Sequence, residues 1–87
     1  MEEDLDPRRK RLLFRSRHMG MRETDILLGA FARESLASLD DGLLDEYEAL
    51  LDEADADLLK WILQRERAPE RIPARILNLV IQFNKRN

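Results

Sequence analysis

The sequence contains no cysteine and only 3 glycines and 3 prolines among its 87 residues. Without cysteine the chain can have no disulfide, no thiolate metal ligand and no cysteine nucleophile. Tight β-hairpins usually need glycine in their turns, so the scarcity of glycine argues against an all-β fold. No apolar run approaches the ~20 residues that cross a bilayer, and we therefore expect no membrane insertion. These absences favour a helical protein.

Length and composition predict one small folded domain. A chain this short buries only a modest core. Hydrophobic residues make up 44% of it and charged residues 38%, a balance typical of folded helical proteins rather than disordered ones. Such a core leaves little room for a pocket that surrounds a cofactor and a substrate together. We therefore expect a binding module without a catalytic residue rather than a self-contained enzyme.

The net charge of −3 is unevenly distributed along the chain. Acidic residues open the sequence, cations crowd the stretch Arg8–Arg17, and the middle from Asp40 to Asp57 is acidic. A signal or transit peptide would begin with a basic or amphipathic segment, which the acidic start does not resemble. The absence of cysteine also fits a reducing compartment. Together these features predict a cytoplasmic protein of bacterial type.

Apolar residues recur at three- and four-residue spacings, which predicts five short helices. Pro7 suits the first turn of helix 1, which we expect to run to about Met19 and stop at Gly20. Asp55 or Asp57 is expected to cap helix 4. The predicted fold is all-α, a compact five-helix bundle in a single domain over 1–87. Within it, 1–6 would be a flexible acidic N-terminus and 84–87 a frayed basic C-terminus.

The helical spacing also predicts which side chains form the core. Substantial burial is expected for Leu27, Phe31, Leu43, Tyr47, Leu50, Ile62, Ile76 and Val80. The same pattern places Ile26 inward, Phe14 partly inward and Trp61 near the flank of helix 4.

Residues typical of cofactor or metal chemistry are few. The single histidine, His18, lies among arginines and has no second histidine or cysteine to share a metal. The glycines form no phosphate-binding loop. Glu53, Asp55 and Asp57 imitate the start of a calcium loop, but Leu58 stands where the turn glycine belongs. We expect the chain to bind no metal and no cofactor by itself.

The basic run Arg8–Arg17 allows more than one interpretation. Its cations could neutralise several phosphates of a nucleic acid. The chain is acidic overall, however, and the run offers only Phe14 for stacking on a base, so a solvated helix facing a protein partner is the simpler hypothesis. A helical regulatory partner of the antitoxin type is a third alternative.

The segment Met19–Glu23 is the clearest candidate for a partner site. Gly20 can end a helix, and Glu23 can complement the dipole of the next one. The same arrangement places a carboxylate at an exposed corner between Arg17 and Arg22, which suits electrostatic docking on a partner. The residues alone leave both interpretations open.

Three segments resemble the succinate dehydrogenase assembly factor family, the flavinators: Lys10-Arg11-Leu12-Leu13-Phe14, Gly20-Met21-Arg22-Glu23 and Ile26-Leu27-Leu28. The likeness continues through Tyr47, the stretch from Asp57 to Trp61 and Ala68-Pro69, and covers roughly Arg8 to Phe83. The family signature is Arg-Gly-x-x-Glu at the corner between the first two helices of a five-helix bundle. Gly20 and Glu23 match it, whereas Met19 stands at the position of the arginine.

The resemblance implies an assembly chaperone and not an enzyme. Members of the family bind the flavoprotein subunit of succinate dehydrogenase, and in some bacteria that of fumarate reductase. They promote a bond between a flavoprotein histidine and the 8α-methyl carbon of FAD, so this chain would act on the FAD of its partner and would be a monomer when free. The expected partner-binding residues are Gly20, Glu23, Arg17, Arg22, His18, Met19, Arg11 and Arg15.

Overall fold

A computed structural model of the chain describes residues 5–86. Its helices are α1 (Pro7–Ser16), α2 (Arg22–Ser35), α3 (Asp41–Leu51), α4 (Asp55–Ile62) and α5 (Ala74–Arg86), and a 3-10 turn, Leu36–Ser38, follows α2. The described part contains no strand, so the predicted all-α five-helix fold is confirmed. Most of the predicted flexible segment 1–6 lies outside the described residues, as does Asn87. Residues 84–86 belong to α5.

Helix α1 begins as predicted but ends before Met19. The carboxylate of Asp6 accepts a hydrogen bond from the backbone N–H of Arg9 at 2.8 Å, and Pro7 occupies the first turn. At the other end, the N–H groups of Arg17 and His18 bond to carbonyl oxygens three residues earlier, at 3.1 and 3.0 Å. This tightened turn closes the helix at Ser16.

The next two helix starts differ in how they are capped. Asp40 caps α3, because its Oδ1 accepts from the N–H of Leu43 at 2.8 Å. The expectation that Asp55 or Asp57 caps α4 is wrong: the capping position belongs to Ala54, and Asp55 is the first residue of the helix. The side chain of Asp55 reaches another part of the chain instead.

One hydrophobic core joins all five helices. Of the core residues predicted from spacing, all are buried except two half-buried ones, Leu27 and Leu43, which pack against the core. Trp61 is 3% exposed and so belongs to the core, not to the flank of α4.

Ile26, predicted to face inward, and Phe14, predicted to face partly inward, are both exposed. Phe14 is 62% exposed and Ile26 58% exposed. Each lies two residues from a buried leucine, Leu12 and Leu28 respectively, and two residues turn a helix by about 200°. The apolar stripes of α1 and α2 therefore point these two side chains away from the core.

The described part of the chain has no helix that is both long enough and apolar enough to cross a membrane.

Candidate functional site

The segment 17–23, called here the α1–α2 corner, connects the first two helices. Gly20 adopts a φ of 120°, a backbone conformation that side-chain-bearing residues rarely adopt. A Cβ placed at Gly20 would meet only Asp55 Oδ2, at an ordinary distance of 3.6 Å. The need for glycine at this position is therefore conformational and not a matter of space.

Two carboxylates hold the backbone of the corner on either side of Gly20. Asp25 of α2 accepts a hydrogen bond from the N–H of Met19. Asp55 of α4 accepts one from the N–H of Met21 at 3.0 Å. The path of the chain through the corner is thus fixed by side chains from two different helices.

The corner exposes the charged residues that the sequence singled out. Glu23, Arg22, His18 and Gly20 are exposed, whereas Arg17 and Met19 are half-buried. The exposure predicted for Glu23 is confirmed. Because Glu23 lies in the first turn of α2, its carboxylate also complements the positive end of that helix.

Exposed apolar side chains lie on both helices that meet at the corner, and the sequence did not predict their exposure. The rings of Phe14 and His18 stack with centroids 4.0 Å apart. His18 Nδ1 lies 2.7 Å from the carbonyl oxygen of Phe14, and since that oxygen can only accept, Nδ1 carries the proton. Ile26 adds an exposed side chain on α2. The sequence could have indicated this exposure, because Phe14 and Ile26 lie on helix faces opposite the buried Leu12 and Leu28.

A shallow groove of about 420 Å³ runs beside the corner along α2. Its basic rim and small-residue floor are formed by Arg17, Arg22, Asp25, Ile26, Gly29, Ala30 and Arg33. A Cβ at Gly29 would lie 3.3 Å from Cγ of Arg17, so glycine lets the Arg17 side chain pack closely on α2. The groove offers positive charge next to apolar surface.

Part of the basic run is occupied within the protein. Arg8 Nη2 contacts Asp45 Oδ1 at 2.6 Å and Glu48 Oε1 at 3.0 Å, both on α3. Arg15 Nη2 contacts Asp52 Oδ1 at 2.9 Å, and Asp52 directly follows α3. The basic run and the acidic middle of the sequence therefore attract one another across α1 and α3.

Arg9 is also engaged within the described part of the protein, whereas Arg11 is not. Arg9 donates through Nε to the carbonyl oxygen of Leu36 at 2.8 Å and through Nη2 to that of Leu39. Arg11, like Lys10, is exposed and makes no ion pair with another of the described residues. Of the predicted partner-binding cations, Arg11 and Arg22 are thus exposed, Arg17 lines the groove and Arg15 is tied to α3.

The arrangement is suited to binding. Within residues 5–86, no group of three histidine, cysteine or acidic side chains is placed to hold a metal ion. The corner combines a fixed backbone, an exposed carboxylate and exposed cations, and exposed apolar side chains lie on the adjoining helices; these are features of a small protein-docking surface.

Comparison with known proteins supplies the family. A family model described as flavinator of succinate dehydrogenase matches residues 10–84. The chain is 38% identical over 77 residues to "Succinate dehydrogenase assembly factor 2, mitochondrial" of Dictyostelium discoideum, covering 88% of this chain and 55% of that protein. The protein of the same name from Danio rerio is 35% identical over 85 residues, covering 95% and 54% respectively. That from Candida glabrata is 42% identical over 74 residues, covering 82% and 48%.

These relatives contradict the location inferred from the sequence. Their names place them in mitochondria, so the prediction of a bacterial cytoplasmic protein is wrong. The chain spans about half the length of the relatives it matches. The acidic character of its first residues is therefore no guide to where the protein resides.

Proposed function

The chain belongs to the family of flavinators of succinate dehydrogenase, and we propose that it binds the flavoprotein subunit of that enzyme and promotes the covalent attachment of FAD. The observation that supports this most directly is the α1–α2 corner. It presents Glu23, the glutamate that matches the family signature, on a backbone fixed around Gly20. The family consists of succinate dehydrogenase assembly factors. That this chain binds the flavoprotein subunit and promotes flavin attachment is what we propose.

Docking is the first step of the proposed mechanism. The carboxylate of Glu23 can accept hydrogen bonds from N–H groups or a cation of the flavoprotein, and Arg22 beside it can pair with an acid. Contact with the flavoprotein buries the exposed apolar surface of Phe14 and Ile26, and this burial favours association. Because the corner is already fixed, little conformational entropy is lost on binding.

The bond itself forms inside the partner. A histidine of the flavoprotein and the 8α-methyl carbon of FAD are both held by that subunit, so the chain described here supplies neither reactant. The new N–C bond replaces an imidazole N–H and a methyl C–H bond, and the flavin ring takes up the two electrons and is reduced. By binding one conformation of the flavoprotein, it raises the fraction of molecules in which the two groups are aligned. We propose that it contributes no catalytic residue and carries no FAD of its own.

The remaining cations act at longer range in this proposal. Arg11, Arg17 and Arg22 add positive potential around the corner, which speeds the encounter with an acidic surface and weakens with salt. The alternative of nucleic-acid binding loses support because Arg8, Arg9 and Arg15 are engaged with carboxylates or carbonyl oxygens of the chain itself. Family membership likewise favours an assembly factor over an antitoxin-like regulator.

The proposal is tested with Glu23→Ala and a matched control, Asp41→Ala. Both residues are exposed acids in the first turn of a helix, so each loss should lower the free energy of unfolding by roughly 0.3–1 kcal/mol. Only Glu23→Ala should lower covalent flavin, measured as fluorescence of the denatured flavoprotein on a gel. The proteins are compared in cells that lack their native factor.

The same assay carries two further comparisons. Met19→Arg restores the signature cation and should maintain or raise covalent flavin. Flavoproteins of succinate dehydrogenase and of fumarate reductase are supplied separately, which identifies the client. If the wild-type chain raises covalent flavin on neither, the proposed function is wrong; if Glu23→Ala behaves like Asp41→Ala, the corner is not the interface.

A further inference from the structure

Asp55 belongs to α4, yet its carboxylate contacts the corner between α1 and α2. We propose that Asp55 is a positioning residue that holds the α1–α2 corner in its binding shape before the partner arrives. The inference rests on the proposed function, because it assigns to Asp55 the arrangement of the surface that docks on the flavoprotein.

One oxygen atom of Asp55 makes the connection. Its Oδ2 accepts from the backbone N–H of Met21 at 3.0 Å and from Oγ1 of Thr24 at 2.9 Å. Thr24 is fully buried, and its hydroxyl also lies 3.0 Å from the carbonyl oxygen of Met21. A single carboxylate therefore ties the residue after Gly20 and the first turn of α2 to the start of α4.

The corner needs this support because its own residues provide little. Met21 occupies the capping position of α2 and makes no side-chain capping bond. Gly20 restricts the backbone less than any other residue would. Asp25 holds the N–H of Met19 before Gly20, so Asp55 supplies the corresponding restraint after it. With both carboxylates in place, Gly20, whose backbone is the least restricted in the corner, lies between two N–H groups that are held by hydrogen bonds.

The restraint bears directly on the docking residues. Arg22 and Glu23 follow Met21 immediately, so the direction of their side chains depends on the peptide that Asp55 holds. If that contact is lost, the corner samples other conformations, and binding then carries the entropy loss of ordering it. Affinity for the flavoprotein falls although no residue that touches the partner has changed.

Three variants separate positioning from charge and from helix stability. Asp55→Asn keeps an oxygen that can accept both hydrogen bonds but removes the negative charge. Asp55→Ala removes both hydrogen bonds and the charge. Asp57→Ala is the control, because Asp57 is a half-buried acid in the same first turn of α4 and its side chain makes no hydrogen bond with another of the described residues.

Two measurements are made on each variant, well below its melting temperature. Hydrogen exchange of the free chain reports protection of the Met21 amide, which should fall about tenfold in Asp55→Ala and remain near wild type in the other two. Binding to purified flavoprotein should weaken by about tenfold in Asp55→Ala, with Asp55→Asn and Asp57→Ala close to wild type.

Each outcome has a defined meaning. Equal binding and equal Met21 protection in Asp55→Ala and wild type would overturn the positioning role, as would a loss in Asp57→Ala as large as that in Asp55→Ala. A wild-type chain that does not bind flavoprotein would overturn the proposed function instead, while the exchange data on the free chain would still report whether Asp55 orders the corner.

Discussion

The hydroxyl of Tyr47 on α3 lies 2.6 Å from the hydroxyl of Ser16 at the end of α1, and both side chains are completely buried. Ser16 Oγ also lies 2.7 Å from the carbonyl oxygen of Leu12, which can only accept. Ser16 therefore donates to Leu12 and accepts from Tyr47. This buried relay joins α3 to the last turn of α1, directly before the corner.

The relay predicts a specific loss of stability in alkaline solution. Burial raises the pKa of Tyr47 above its ordinary value of 10.0. Above about pH 10 the unfolded chain releases the phenolic proton while the folded chain keeps it, so stability falls as pH rises. The urea midpoint should drop between about pH 8 and about pH 11, and less so in Tyr47→Phe. The variant itself should lose about 1 kcal/mol at neutral pH. Equal pH dependence in the two proteins would contradict the assignment.

Alanine at Gly20 and alanine at Gly42 should change the free energy of unfolding in opposite directions, because the two glycines have different backbone conformations. Gly20→Ala forces a side chain into a φ of 120° and should lower the free energy of unfolding by about 1–3 kcal/mol. Gly42→Ala lies within α3, where a Cβ meets nothing nearer than 3.4 Å, and alanine should raise it by up to about 1 kcal/mol. Chemical denaturation of both variants provides the measurement. A neutral Gly20→Ala would show that the corner relaxes without strain.

The exposed side chain of Ile26 predicts a change in binding without a change in folding. Ile26→Ser should shift stability by no more than about 0.5 kcal/mol, because the side chain is 58% exposed. Affinity for the flavoprotein should nevertheless fall by about tenfold if this side chain is an apolar anchor of the interface. Leu79→Ser, on an exposed position of α5, is the control and should bind normally. Calorimetry or interferometry with purified subunits can compare the three proteins, and equal losses at both positions would remove Ile26 from the interface.

The ion pair between Glu53 and Arg71 predicts a contribution to acid stability. Their atoms Oε2 and Nη1 lie 2.6 Å apart, and the hydrogen bond from Arg71 lowers the pKa of the Glu53 carboxyl below its usual 4.5. A depressed carboxyl pKa stabilises the fold above the unfolded value, and that stabilisation is lost as pH falls through the folded one. Glu53→Gln should thus lose less stability than wild type between about pH 6 and about pH 3. Glu34→Gln, an exposed control, should follow wild type.

Local sequence determined the helices and most of the core of this protein. Pro7 and Asp40 act within a few residues of their own position, and each occupies the place at a helix start that its chemistry predicts. Gly20 supplies a positive φ in the corner, although α1 ends earlier, at Ser16. Periodic apolar positions such as Phe31, Tyr47 and Ile76 are buried because a helix turns by a fixed angle per residue. The part of the family signature that this chain matches, Gly20 and Glu23, was also visible in the sequence, since it lies within four consecutive residues.

Only the tertiary structure decided the partners of side chains that are far apart in sequence. Asp55 is of a residue type that often caps helices and lies at the start of α4, but the approach of α4 to α2 lets its carboxylate accept from the N–H of Met21 instead. In the sequence, Arg8 and Arg15 resemble part of a free basic surface, but the fold brings Asp45 of α3 and Asp52, which follows α3, beside them. Phe14 and Ile26 face solvent because the packing of α1 and α2 buries the opposite faces of these helices. Spacing along a chain limits which residues share a helix face, whereas the contact between two helices depends on how every face packs at once.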